Sequence, residues 1–183
     1  MSSELLIRHC SPTLANLKTA NMFNCEFASR EELNSDLKHW NQVFSKKGLR
    51  IIPLRVRNNH CLVYVFRPSK LCEDLENAEA KHILSERGYT STNPNKCLAE
   101  LKKKLLSDGE FPHEIGLFLG YPALDVDGFI KDRKEGCKLV GTWKVYGNLN
   151  EAKRTFAKFN KCSKLYYEQF LKGRTVDKLT VTA

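Results

Sequence analysis

RIIPLRVRNNHCLVYVF, residues 50–66, places two apolar-rich runs on either side of Arg57-Asn58-Asn59-His60. Both runs are dense in β-branched and aromatic residues, which suit a pleated, half-buried strand. Asn tolerates the positive φ angles of a two-residue turn, so the stretch reads as a β-hairpin turning at Asn58-Asn59. Pro53 has no N–H to give a ladder, which puts its strand at a sheet edge or at a bulge.

Around the hairpin the sequence predicts helices that do not alternate strictly with strands. Leu5-Leu6-Ile7 reads as a short helix ending near His9, before Pro12, and residues 17–27 (LKTANMFNCEF) as a strand. Ser29 and Glu32 form a capping box ahead of Leu33, Leu37, Trp40 and Phe44 at helical spacing, with Gly48 as the stop. Asn77 caps a helix holding Ile83 and Leu84 that stops at Gly88, and Asn93-Pro94 opens another with Leu98, Leu101 and Leu105 on its buried face. IGLFLG (115–120) reads as a buried strand, PALDVDGFIKD (122–132) as a helix and KLVGTWKVYG (138–147) as a strand. A second capping box, Asn148 with Glu151, opens a long amphipathic helix with Ala152, Phe156, Phe159, Cys162 or Ser163, Tyr166 and Phe170 as its apolar stripe. The whole is α+β: a single compact domain over residues 1–183, with a small mixed or antiparallel sheet that includes the hairpin at about 50–67.

A chain of 183 residues can bury a sizeable core without a metal or disulfide to reinforce it. No apolar run is long enough to span a bilayer, and Glu4, Arg8 and His9 interrupt the N-terminus, so neither a membrane span nor a secretory signal is expected. The expected location is cytoplasmic. The seven cysteines lack close pairing, which leaves them as reduced, mostly buried thiols with no metal site. The formal net charge of +9 is uneven: residues 1–130 hold 17 Lys and Arg against 16 Asp and Glu, and residues 131–183 hold 13 against 5. Such asymmetry suits either an anionic partner or a solvated basic face.

Three segments in order, HCSPTLANLKTANMF (9–23), FPHEIGLFLGYPALDVDGFI (111–130) and GTWKVYGNLNEA (141–152), resemble a bacterial family of anaerobic clostridia-like organisms, domain-of-unknown-function family 3793. The resemblance implies a stand-alone cytoplasmic protein. Through neighbouring flavodoxin and ferrous-iron transport genes it also implies iron or redox physiology. One departure is Asn16, where the family pattern leads one to expect glycine; Asn is among the few residues that tolerate a left-handed turn.

The middle segment is not a zinc-protease helix, because Leu117 stands where His-Glu-x-x-His needs its second ligand. Asp125-Val126-Asp127-Gly128 lacks the length and the final Glu of a calcium loop. What remains is a Gly120-Tyr121-Pro122 corner at which a helix N-terminus could receive an anion. Against this stands plain close packing at the glycines, with Asp125 complementing the helix dipole. On the WKVY strand Lys144 and Tyr146 share one face, opposite Trp143 and Val145.

Two functions follow. In the first, a small anionic ligand or cofactor, of a kind the sequence leaves unknown, binds among Lys18, Gly120, Tyr121, Lys144 and Tyr146. Catalysis there would fall to His113 as acid–base group and Cys10 as nucleophile. In the second, the cationic outer face of the C-terminal helix, Arg154, Lys158 and Lys161, docks nucleic acid or an acidic protein such as a flavodoxin. No helix-turn-helix, zinc finger or RNA-binding motif accompanies that face.

Overall fold

The expected hairpin is present. Strands β2 (Arg50–Arg57) and β3 (His60–Phe66) pair antiparallel, and the turn residues Asn58 and Asn59 have φ of 47° and 59°. β1 (Ala20–Glu26) pairs with the other side of β3, giving the order β1-β3-β2. Pro53 therefore lies on an edge strand, and the register also shifts between Pro53 and Arg55, leaving Leu54 as an extra residue. Both accommodations open to a strand proline are used.

The computed structural model describes residues 1–107, 109–133 and 135–182. It divides into two compact units, one made of Met1–Ser69 with Phe159–Ala183 and the other of Lys70–Lys158. The α+β class expected from the sequence holds, with helices, a three-stranded antiparallel sheet and a two-stranded one.

In the first unit, one sheet face (Phe23, Cys25, Ile51, Cys61, Val63, Val65) joins α1 (Ser3–Leu14) and α2 (Arg30–Ser45) in a single apolar core. Leu33, Leu37, Trp40 and Phe44 are its α2 contribution. Ser29 Oγ accepts from Glu32 N at 3.1 Å, while Glu32 Oε2 reaches back to Ala28 N at 2.8 Å, one residue earlier than an ideal capping box.

α1 does not stop before Pro12; it runs to Leu14 with Pro12 inside. A proline removes one helical hydrogen bond, but the end of this helix is unusually well satisfied. Asn16 has φ 60°, and Leu17 N and Asn16 N donate to Pro12 O and Thr13 O at 2.9 and 3.2 Å. This is a Schellman ending with Asn in the left-handed position. The last carbonyls of the helix also meet Arg67, a fully buried side chain that sequence reading passes over. Its Nε donates to Thr13 O at 2.9 Å and its Nη2 to Leu14 O at 3.0 Å and Val181 O at 2.7 Å. Nη1 lies 3.4 Å from Lys47 O. No carboxylate pairs with Arg67 among the described residues; the helix end supplies the negative potential instead.

The second unit holds α3 from Lys70 onward (the helix spans Pro68–Glu76 and was not anticipated), α4 (Ala78–Glu86) and α5 (Pro94–Leu106). Asn77 and Asn93 cap α4 and α5 as expected. IGLFLG is not a strand: Ile115–Phe118 is a helical turn, α6, closed by local bonds such as Leu119 N to Ile115 O at 3.1 Å. A four-residue apolar run suits a buried strand and a buried helix equally. Gly116 settles it, since a Cβ there would lie 2.8 Å from Val126 Cγ2 of α7 (Ala123–Lys131). KLVGTWKVYG is not one strand either. It folds back as β4 (Leu139–Val140) and β5 (Lys144–Val145), with Gly141 lying directly against the Phe156 ring.

α8 (Leu149–Leu171) is the predicted long helix, and Asn148 Oδ1 accepts from Glu151 N at its start. Ala152, Phe156, Phe159 and Cys162 are buried along its stripe, with Tyr166 and Phe170 partly so. A short α9 (Val176–Leu179) returns to the first core.

Replacing Arg67 with Met removes the guanidinium from four carbonyls, of which Thr13 O and Leu14 O keep a backbone donor, from Asn16 N and Val181 N, while Lys47 O and Val181 O lose the bond from Arg67. Urea unfolding should show a loss of about 2–3 kcal/mol. A loss below about 1 kcal/mol would mean that Arg67 is not what terminates α1.

Candidate functional site

A buried carboxylate organises the second unit. Asp125, in the first turn of α7 and 3% exposed, accepts from Trp143 Nε1 at 2.6 Å, Tyr146 N at 2.7 Å and Gly147 N at 2.6 Å. Three N–H donors take up this carboxylate, which makes no ion pair among the described residues. The sequence assigned Asp125 only to the helix dipole; its larger role is to clamp β5 onto α7. With β5 fixed, the predicted alternation is realised. Trp143 and Val145 enter a small core with Phe156 and Ala152. Lys144 and Tyr146 land on α7, at Phe129 and Gly128 respectively.

The predicted ligand residues fall in both units. Cys10 and Lys18 belong to the first; Gly120, Tyr121, His113, Lys144 and Tyr146 belong to the second. Cys10 is fully buried, and burial pushes its thiol far above the ordinary range, which keeps it protonated and a poor nucleophile. Lys18 is 4% exposed, with Nζ donating to Ala20 O at 2.6 Å. Burial pulls its ammonium down to about 8.

In the second unit three of the predicted residues gather at α7. His113 stands edge-on to Phe129 at 5.0 Å, and Lys144 Nζ lies 5.5 Å over the same ring while donating to Arg133 O at 2.7 Å. Burial first, then the Arg133 guanidinium, holds the His113 imidazole below its ordinary pKa. The Tyr146 hydroxyl is shielded and has no hydrogen-bond partner among the described residues. His113 and Glu114 have separate partners, since Glu114 Oε1 accepts from Tyr89 at 3.1 Å.

Gly120 and Tyr121 do something else. Gly120, at φ 70°, ends α6 in another Schellman turn, with Tyr121 N bonded to Gly116 O at 3.0 Å. Tyr121 stacks on Trp143 at 4.9 Å. The corner opens on a depression of about 400 Å³ whose other wall carries Glu73, Asp74 and Glu79. No strand precedes this corner, and carboxylates rather than cations face it.

The family comparison fits the segments that make these turns. A sequence model for the family described as Protein of unknown function (DUF3793) matches residues 6–180. The chain belongs to that family. No curated protein and no solved structure matches it. The matched span contains both buried charges, Arg67 and Asp125, and all of α8.

The basic residues on α8 form the other candidate site. Arg154, Lys158 and Lys161 are exposed, as are Lys153 and Lys164, and none makes an ion pair among the described residues. At about 100° per residue these five cations spread over the side of the helix opposite its apolar stripe. Leu165 sits among them, 47% exposed. No group of three or more His, Cys, Asp or Glu positioned for a metal occurs among the described residues, and no helix there is long and apolar enough to cross a membrane.

Two measurements test the buried charges. Asp125→Asn puts an amide N–H₂ against either Trp143 Nε1–H or the two backbone donors, and should lower stability by about 3 kcal/mol with a change in Trp143 emission. Wild-type stability and emission in the variant would show the clamp to be incidental. For Lys18, an unfolded value of about 10.4 and a folded value of about 8 mean that the unfolded chain holds more protons between them. The stability contribution therefore rises with pH across that window. The unfolding free energy of wild type minus Lys18→Met should move in favour of wild type by roughly 2–3 kcal/mol from about pH 7 to about pH 10.5. A flat difference would place the Lys18 ammonium in water.

Proposed function

We propose that this protein is an interaction protein whose α8 cationic face docks an acidic protein partner. The carrying observation is that five exposed cations on one helix make no ion pair among the described residues, while Leu165 offers an apolar anchor in their midst. Charges arranged this way steer an oppositely charged surface and raise its on-rate. An exposed leucine inside the patch favours a protein surface over a phosphate backbone, which is contacted by charge and hydrogen bonding. The flavodoxin suggested by the family resemblance is the natural first partner to test, and the proposal keeps the chain in the cytoplasm.

The alternative, a small anionic ligand at Gly120 and Tyr121 with Lys18, Lys144 and Tyr146, has less in its favour. The Lys18 and Lys144 ammonium groups donate to backbone carbonyls, and the corner itself faces carboxylates. His113 and Cys10 carry the same weight as catalytic groups: the imidazole is walled by rings and the thiol is sealed in a core.

Binding of the full chain to a flavodoxin, and separately to duplex DNA and single-stranded RNA, should be measured in about 50 mM and about 200 mM salt. The expected result is flavodoxin binding that weakens about tenfold or more over that range. It should be lost in the Arg154→Glu, Lys158→Glu, Lys161→Glu triple variant and weakened by Leu165→Ser. Binding indifferent to the charge reversals would remove the proposal. Tighter, Leu165-independent binding to nucleic acid would reassign the face.

A further inference from the structure

We propose that the hairpin end of the first unit's sheet is a binding site for a small molecule carrying a diphosphate group. The site arises from the bulge at Pro53. Ahead of it, Ile51 pairs with Val65 and Ile52 with Tyr64; beyond it, Arg55 pairs with Leu62, Val56 with Cys61 and Arg57 with His60. Had the register continued unbroken, Leu54 would face Leu62, and Arg55 and Arg57 would point with Cys61 into the apolar core. The single extra residue re-aims the strand. Val56 packs against the core, and both arginines turn to the opposite face.

On that face the ladder sets out two rows. One is Arg55, Leu62 and Asn24; the other is Arg57, His60 and Glu26. Together with Asn58 these residues line an open depression of about 510 Å³, within the size range of small-ligand sites. Arg55 is half-buried and Arg57 exposed. Neither guanidinium has an ion pair among the described residues, and the one carboxylate present, Glu26, lies 4.0 Å from His60 Nδ1. Alternate residues of one strand stand roughly 6–7 Å apart along it on the same face, so the Arg55 and Arg57 side chains rise from the strand at a spacing that two linked phosphoryl groups can bridge. Arginine's planar fork suits each of them. Leu62 and the His60 ring supply an apolar and aromatic floor on which a nucleoside could rest, with Asn24 and Asn58 as hydrogen-bonding groups at the rim.

The test is titration of the full chain with inorganic pyrophosphate, ADP and orthophosphate by calorimetry, repeated on Arg55→Gln, Arg57→Gln and the double variant. Pyrophosphate and ADP should bind at least about tenfold more tightly than orthophosphate, with each single variant losing about tenfold. Arg55→Lys should recover little, because a point charge does not reproduce the fork. Tighter ADP than pyrophosphate places the nucleoside on Leu62 and His60; equal affinity confines recognition to the phosphates, and both outcomes support the site. The α8 charge reversals should leave this binding unchanged, which separates it from docking by that helix. Melting curves confirm that the exposed-residue variants are folded. Absence of binding to all three probes, or binding that survives the double variant, overturns the proposal.

Discussion

One buried guanidinium, bonded to backbone carbonyls and to no carboxylate among the described residues, ties three segments of the first unit to the end of its central strand. Arg67 lies fully buried at the end of β3, and its guanidinium gathers carbonyls from the α1 terminus, from the segment after α2 and from the C-terminal segment. Burying a charge is tolerable only when every donor is met. Here the partners are backbone carbonyls: Thr13 O and Leu14 O at the end of α1, which also accept from Asn16 N and Val181 N, together with Lys47 O and Val181 O. The guanidinium bonds the last two carbonyls of α1, beyond Pro12, while Asn16 itself tolerates the left-handed turn that follows. The second unit solves the mirror problem. Asp125 is a buried anion satisfied by one indole and two backbone N–H groups, and the turn after β5 is held to α7 through it.

Seen this way, the charged residues separate by task. Arg67, Asp125 and Lys18 are taken up by backbone and indole groups inside the fold. Arg55, Arg57 and the five exposed α8 cations make no ion pair among the described residues. Interior charges make local structure specific, because each has one arrangement in which its partners are complete. Exposed charges with no internal partner contribute little to stability, which leaves them available for recognition. The net positive charge is therefore not evenly meaningful, and the part that bears on function is the part left over after the fold has taken what it needs.

Much of the fold was legible because the relevant signals are local. Asn-Asn between apolar runs, Ser29 with Glu32, Asn77, Asn93-Pro94 and Asn148 each act through their own backbone neighbourhood, and each produced the element it announced. The misreadings share a different cause. IGLFLG became a helical turn because Gly116 let α6 press against Val126, a contact ten residues away. KLVGTWKVYG broke in two around Gly141 because Phe156 occupies the adjacent space. Arg67 gave no sign, since its partners lie up to 114 positions distant. For the candidate sites, the alternation of Lys144 and Tyr146 was readable from strand periodicity, whereas the carbonyl capping of Lys144 was not. Arg55 and Arg57 were half-readable: Pro53 announced a bulge or an edge, but only the pairing shows that the bulge reverses which face the arginines take.

The separation of interior from recognition charges can be read in one spectrum, the ¹H–¹⁵N correlation of arginine Nε groups in the full chain. The account predicts that Arg67 Nε–H exchanges slowly and stays in place from low to high salt, while the Nε–H signals of Arg55, Arg57 and Arg154 exchange rapidly with water. Rapid exchange at Arg67, or protection at Arg55, Arg57 and Arg154 equal to that at Arg67, would contradict it.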